Sequence, residues 1–402
     1  MDFLIGSRRE RPGDDPIFSL NAEAKRRAAE GEEVVNATIG ALLEDDGSLA
    51  IMPSVAEAIR SLPPAVTAAY APIPGRPDFR QAVIDDLFTE LGLVDQAVSV
   101  ATPGGSGALR MSIDNFLEPH QTVLTSSYFW APYRTLADEA GRSFATFDMF
   151  GEDGRFNAPD FERKLDGLLK AQGRALILLN TPCHNPTGYS MDGQELDEFC
   201  AVLGRHADKG PITVVLDIAY GYYAPEALNL AVTKLSQRSH QVLTLFAWSA
   251  SKSFLQYGAR VGSLVALVAD ATERTRIQNA LTYSCRGLWS NCNAGGMAAI
   301  TRVLREPELR AQAQRERREL AQMLTRRVVR WNELAGAAGI AYPRYDGGFF
   351  TTVFCDDPKT KAAALREEGI FVVPTAGALR VAICAVNEEQ IGRIVTGLKH
   401  VL

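Results

Sequence analysis

The chain has little of what marks a secreted, metal-binding or membrane-spanning protein. Cysteine is sparse, with Cys183, Cys200, Cys285, Cys292, Cys355 and Cys384 in 402 residues and no CxxC pair among them. Several stand in apolar runs, so they read as reduced packing residues and not as a disulfide framework or a zinc set. The five histidines are scattered and make no HExxH or other metal-ligand pair, so no metal is expected. No run of about 18 or more apolar residues suggests a membrane span. The opening MDFLIGSRRERPGDD lacks the order of a secretory signal, which makes a cytoplasmic location the expectation. No repeat or low-complexity segment stands out, and a net charge of −6 argues against nucleic-acid binding.

What is present is a chain long enough, at 46% hydrophobic, for a large core and roughly two to three domains. Strand-like stretches AVSVAT, QTVLTSS, RALILLN, ITVVLDI, VLTLFA and GSLVALV alternate with amphipathic segments such as NAPDFERKLDGLLKAQG and DGQELDEFCAVLGRHADKG. That alternation predicts an α/β fold with a mainly parallel sheet between helices. Past Glu306–Pro307, the charged run PELRAQAQRERRELAQMLTRRVVRWNELAGAAG predicts a long connecting helix whose charges form a solvated face. GFFTTVFC, LREEGIFVVP, LRVAICAV and NEEQIGRIVTGLKHVL then predict a smaller α/β layer that the N-terminal segment joins. The expected division is a large domain over 46–306 and a small domain made of 1–45 and 307–402.

The chemistry concentrates in LTLFAWSASKSFLQYGARVGSLVA, read as a buried strand, a small-residue loop, a turn and a second buried strand. It carries Lys252, the only lysine between Lys234 and Lys359. An ammonium in such an apolar setting is either paired or pushed towards its neutral amine, and a neutral amine can form a Schiff base. The alternative is a lysine snorkelling from a strand end to water. Ser249, Ser251 and Arg260 surround it in sequence, and hydroxyls with a guanidinium suit a phosphate. An aldehyde cofactor carrying a phosphate, pyridoxal phosphate (PLP), would use both groups.

Three further motifs agree. ALILL ends in NTPCHNPTG, a strand giving way to a turn with two X-Pro steps and containing Asn185. ITVVLDIAY puts Asp217 at the end of a buried strand with Tyr220 after it, where ligands bind in open parallel sheets. A carboxylate there needs a cation or donors, and a protonated pyridine nitrogen is such a partner. In VSVATPGGSGALRMSIDNFL, Gly104, Gly105 and Gly107 let a backbone approach an anion, and Ser106 opens a predicted helix with free amide donors.

Glycine loop, aromatic cluster, NPTG, DIAY and the Ser-x-Ser-Lys run with its arginine follow one another in an order that resembles class I aminotransferases of PLP fold type I, in particular the aspartate and aromatic aminotransferase group. The likeness runs from about Asn36 to Arg380. It implies the PLP-dependent transferase fold, with a seven-stranded mainly parallel sheet in the large domain. It also implies that Lys252 is the Schiff-base lysine and proton shuttle, and Asp217 the partner of the ring nitrogen. Asn185 and Tyr220 would then bond the ring oxygen, while Gly105, Ser106, Ser249, Ser251 and Arg260 fall to the phosphate. Trp130 in SSYFWAPY matches the aromatic that stacks on the ring.

On the substrate side, Gly40 corresponds to the entry strand, where the backbone passes close to the substrate, and Arg380 to the arginine that grips the α-carboxylate. Tyr70 matches a tyrosine reaching the partner's phosphate, so a homodimer with shared active sites is implied. Arg286 matches an arginine that reads a distal carboxylate across the dimer. The chain departs from the family near there: Trp289 replaces the usual tyrosine, the prolines normally following Ser-Asn are absent, and Tyr133 replaces a histidine near the ring. The activity implied is ping-pong transfer of an amino group between an L-amino acid, aspartate/glutamate or aromatic, and a 2-oxo acid. The fold also hosts carbon–sulfur β-lyases and cyclising lyases, and a non-catalytic PLP-binding regulator is a further alternative.

Overall fold

The computed structural model describes residues 3–402, so the first two residues of the N-terminal segment assigned to the small domain lie outside the described residues. The chain packs into two units. The larger comprises Ala50–Thr325 with Pro343–Gly348, and the smaller comprises the segment up to Leu49, Arg326–Tyr342 and Phe349–Leu402.

In the larger unit, apolar runs such as Ala175–Asn180 and Ile212–Asp217 are buried at every position, the signature of strands covered on both faces. They form a seven-stranded sheet in the order Ala97–Pro103, Val261–Leu267, Leu243–Ser249, Ile212–Asp217, Ala175–Asn180, Thr122–Ser126, Ser143–Phe147. Val261–Leu267 runs antiparallel to both neighbours and all other pairings are parallel. Side chains alternate between the faces. Leu245 and Ala247 join the cluster built by Leu109, Met111 and Ile113 of helix Gly104–Phe116 and by Ile277 and Leu281 of helix Ala271–Leu288. Phe246, between them, meets Phe88 of helix Pro77–Phe88 edge-on, with ring centroids 5.3 Å apart.

Two local features differ from the sequence expectation. Ser143–Phe147 is a seventh strand that the apolar pattern does not reveal, because an edge strand paired on one side only has an exposed start and no continuous buried run. The stretch after Ser249 is a helical turn, Ala250–Ser253, and not a loop; the Ser249 hydroxyl caps it by accepting from the Ser251 amide at 3.1 Å.

The smaller unit holds a three-stranded antiparallel sheet with Ala378–Ala382 between Val373–Thr375 and Phe350–Phe354. The N-terminal segment enters it through Val35–Asn36, parallel to Ile370–Phe371. Arg327, 1% exposed, fixes that segment by donating to the Cys384 and Leu43 carbonyls at 3.0 and 2.8 Å and to Asp45 Oδ1 at 2.8 Å. The charged run is one 31-residue helix, Pro307–Ala337, whose first part belongs to the larger unit and whose last turns belong to the smaller. Among the described residues, no helix is long and apolar enough to cross a membrane.

Candidate active site

The polar ends of buried strands meet at one edge of the large sheet. Asn180 and Asp217 are register partners at the ends of adjacent strands, and Asp217 in turn faces Ala247, two residues before Ser249. Around them lies a cavity of about 130 Å³ lined by Gly105, Ser106, Leu109, Trp130, Asn180, Asn185, Asp217, Ala219, Tyr220, Ser249, Ser251, Lys252 and Arg260. A larger cleft of about 620 Å³ opens at the opposite strand ends, near Ile212, Thr213 and Leu243. Its charged lining mixes Arg174 and Arg276 with Asp270 and Glu273. The smaller cavity is the candidate site because an amine, a guanidinium, a buried carboxylate and several hydroxyls line it together.

Lys252 rides on the short helical turn that Ser249 caps. Two contacts outside the turn fix its backbone: the Tyr223 hydroxyl donates to the Lys252 carbonyl at 3.2 Å, and Arg317 Nε donates to the Ser253 carbonyl at 3.2 Å. The Lys252 ammonium lies 5.5 Å from the centroid of the Tyr220 ring.

At one end of the cavity, the strand Ala97–Pro103 turns directly into helix Gly104–Phe116, whose first-turn amides have no intrahelical partner. Gly104 has φ +71°, and a Cβ there would stand 2.8 Å from Arg260 Cζ; a Cβ on Gly262 would stand 2.7 Å from Gly104 Cα. Gly104 therefore leaves the room in which the guanidinium lies against the helix start, and Gly262 lets the Gly104 backbone approach. Arg260 itself has φ +54° and donates through Nη1 to Ser251 Oγ at 3.2 Å and to the Tyr257 carbonyl at 2.9 Å. Amides, hydroxyls and a guanidinium with no carboxylate among them make this end a fit for a phosphate.

At the other end, Asp217 is 6% exposed. Its Oδ2 accepts from the Tyr133 hydroxyl at 2.7 Å and its Oδ1 from the Ala219 amide at 3.1 Å. Burial pushes its carboxyl pKa up; the two donors and the Lys252 charge pull it back without cancelling the rise. A buried carboxylate still short of compensation fits a protonated ring nitrogen. Asn180 ties this strand end to the next loop, its Nδ2 donating to the Asp217 carbonyl at 2.8 Å and its Oδ1 accepting from the Asn185 amide at 2.6 Å. The Asn185 side chain then donates to the Tyr220 hydroxyl at 3.3 Å. Trp130 stands edge-on to Tyr133, with centroids 5.8 Å apart.

The loop Thr181–Ser190 that carries Asn185 is held from behind. His184 is buried with Nδ1 2.8 Å from Thr187 Oγ1, and burial lowers its pKa to about 3, so it is neutral. Glu195, fully buried, accepts from the Tyr189 hydroxyl, the Asp192 and Phe156 amides at 2.8 and 3.0 Å, and Arg344 Nη2 at 2.8 Å. Cys183 donates through its amide to Ser190 Oγ at 3.0 Å. Both X-Pro steps, Thr181–Pro182 and Asn185–Pro186, are cis.

Of the residues singled out from the sequence, Gly105, Ser106, Trp130, Asn185, Asp217, Tyr220, Ser249, Ser251, Lys252 and Arg260 line this one cavity. Tyr70, 91% exposed, and Arg286, also exposed and donating to Ser290 Oγ at 2.9 Å, are not part of its lining. Gly40 and Arg380 belong to the smaller unit. There Arg380 is 5% exposed, donates to the Thr38 carbonyl at 2.5 Å and lies 4.5 Å over the Phe350 ring. A Cβ on Gly40 would stand 2.5 Å from Phe350 Cζ. Asn180 and the donation from Tyr133 to Asp217 were not legible in the sequence; the signals were an asparagine opening NTPCHNPTG and, at Tyr133, the replacement of a histidine near the ring.

The family described as aminotransferase class I and II matches residues 32–398. The aspartate aminotransferase of Pseudomonas aeruginosa is 28% identical over 96% of this chain and 97% of its own length. The crystal structure of an aminotransferase from Anaerococcus prevotii superposes with a TM-score of 0.95 at 32% identity, covering 100% of this chain and 99% of that one. That of an aromatic-amino-acid aminotransferase from Burkholderia pseudomallei, covalently bound to pyridoxal phosphate, gives a TM-score of 0.83 at 26% identity, covering 99% and 100%.

Proposed function

The chain belongs to the class I and II aminotransferase family, and from that premise we propose how its residues carry out pyridoxal-phosphate-dependent transamination between an L-amino acid and a 2-oxo acid. The observation that carries the assignment is the single cavity with an amine, Lys252, between a phosphate-fitting end at Arg260 and a buried carboxylate at Asp217. Bound PLP supplies an aldehyde for the amino group and a ring that accepts the electron pair of the substrate α-carbon.

The chain's own groups then divide the work. Lys252 Nζ would hold the cofactor covalently between turnovers and, once released as a neutral amine, would carry the proton taken from the substrate α-carbon. Asp217 would keep a proton on the ring nitrogen, so that the ring could accept electrons. Asn185 and Tyr220 would hold the ring oxygen and Trp130 would lie against the ring, since all three line the cavity. The amides of Gly105 and Ser106 with Ser249, Ser251 and Arg260 bind the phosphate. Arg380 takes the substrate α-carboxylate as a bidentate partner, and Gly40 lets the backbone pass close to the substrate.

We further infer a cytoplasmic homodimer in which Tyr70 and Arg286, exposed in the single chain, complete the neighbouring subunit's site. With Arg286 as the distal-carboxylate reader, the donors are aspartate or glutamate and aromatic amino acids, in line with the names of the Pseudomonas and Burkholderia relatives. Half-reactions test this reading: mixing the PLP form with single amino acids should convert it to the amine form, and 2-oxo acids should restore it. A protein whose cofactor spectrum no amino acid changes would contradict it. Release of pyruvate and a thiol from cysteine conjugates, without conversion to the amine form, would identify a carbon–sulfur lyase.

A further inference from the structure

Tyr133 does two things with one side chain. It is fully buried, its hydroxyl donates to Asp217 Oδ2 at 2.7 Å, and its ring stands at 88° to that of Trp130 with centroids 5.8 Å apart. It therefore touches both groups assigned to the cofactor ring, the carboxylate at the nitrogen and the indole at the face. We propose that Tyr133 is a positioning residue that holds Asp217 as an oriented carboxylate and so decides where the proton shared between Asp217 and the ring nitrogen resides; the proposal rests on the assignment of Asp217 to that nitrogen.

A carboxylate at 6% exposure is a strong base unless donors spread its charge, because burial disfavours the anion. Asp217 has two fixed donors, the Ala219 amide at 3.1 Å and the Tyr133 hydroxyl at 2.7 Å. The amide belongs to the strand end and stays whatever the side chains are, so the hydroxyl is the adjustable donor. A phenol in this position remains protonated: burial and the neighbouring Asp217 charge both push its pKa well above the usual value. It donates without ever becoming a competing charge. Without it, Asp217 becomes more basic, and a proton shared with a ring nitrogen moves towards the carboxylate, which leaves the ring a poorer electron acceptor. The same substitution leaves the indole neighbour in place if the aromatic ring is kept.

The test is the ¹⁵N resonance of the ring nitrogen in holoenzyme loaded with ¹⁵N-labelled PLP, compared between wild type and Tyr133→Phe at one pH. The expected result is a pyridinium resonance in wild type and a displacement towards the unprotonated value in the variant. A variant carrying 4-aminophenylalanine at 133, which keeps the ring and a weaker donor, should fall between them, and it serves as the test where the Phe variant does not fold or load. A loss of packing alone would change cofactor loading and leave the resonance where it was. Identical pyridinium resonances in wild type and variants would overturn the role given to Tyr133. An unprotonated nitrogen already in wild type would overturn the Asp217 assignment, and the proposal with it.

Discussion

Gly104 and Arg260 occupy one another's space: a Cβ on Gly104 would stand 2.8 Å from the guanidinium carbon, and Gly104 holds φ +71°. The glycine loop is thus required by Arg260, the arginine proposed to bind the cofactor phosphate, and not only by the turn it makes. Gly104→Ala should displace Arg260 and strain the backbone by about 1–3 kcal/mol. The expected reading is PLP affinity weakened about tenfold or more, with the fold retained by circular dichroism. Unchanged affinity would show that Arg260 does not depend on this gap.

Asp217 makes the cofactor-free protein pH-sensitive. Its carboxyl pKa is raised, chiefly by burial. A carboxyl raised in the folded state contributes its stability below the unfolded value and loses it as pH rises through the folded value. The apoprotein of Asp217→Asn should therefore have a higher Tm than wild-type apoprotein at pH 7, and the two should converge as pH falls to about 4. Addition of PLP should reverse the order at pH 7. A variant that is less stable than wild type in both forms would mean the carboxylate is already compensated.

Glu195 anchors the segment 343–348 to the loop that carries Asn185, through Arg344, Tyr189 and the Phe156 amide. Removing a buried carboxylate from its partners typically costs about 3–5 kcal/mol. Glu195→Ala should lower unfolding stability in urea by that order, whereas an Asp346→Ala change, at an exposed member of the same network, should cost well under 1 kcal/mol. Similar losses for the two would place the strength of the network elsewhere.

Arg286 tests donor choice. A carboxylate brought into a dry pocket without its cation loses a charge-assisted bond of roughly 1.5–3 kcal/mol, about tenfold to a hundredfold in kcat/KM. Arg286→Ala should lower activity with aspartate and glutamate by that factor and largely spare aromatic donors. Equal losses for every donor would reduce Arg286 to a structural residue.

The sequence made the buried half of this molecule legible and left the supports hidden. Ala175–Asn180 and Ile212–Asp217 announce themselves because both faces are covered, and a polar residue ending such a run marks a site. Ser143–Phe147 gives no such signal, since an edge strand needs apolar side chains only where it packs. The residues that line the cavity were found as motifs because cofactor chemistry dictates their type. Asn180 and Tyr133 were not, because what matters about each is a partner distant in sequence: Tyr133 meets Asp217 across 84 positions. The roles proposed for Tyr70 and Arg286 would depend on a second subunit, which no periodicity within one chain encodes.

Lys252 is the residue expected to carry the cofactor. Purified holoenzyme treated with borohydride and digested should yield one modified peptide, with the reduced pyridoxal phosphate adduct on Lys252, and Lys252→Ala should lack both the visible absorbance of the bound cofactor and transamination. An adduct on any other lysine, or a Lys252→Ala protein that keeps its visible band and turns over, would contradict the account.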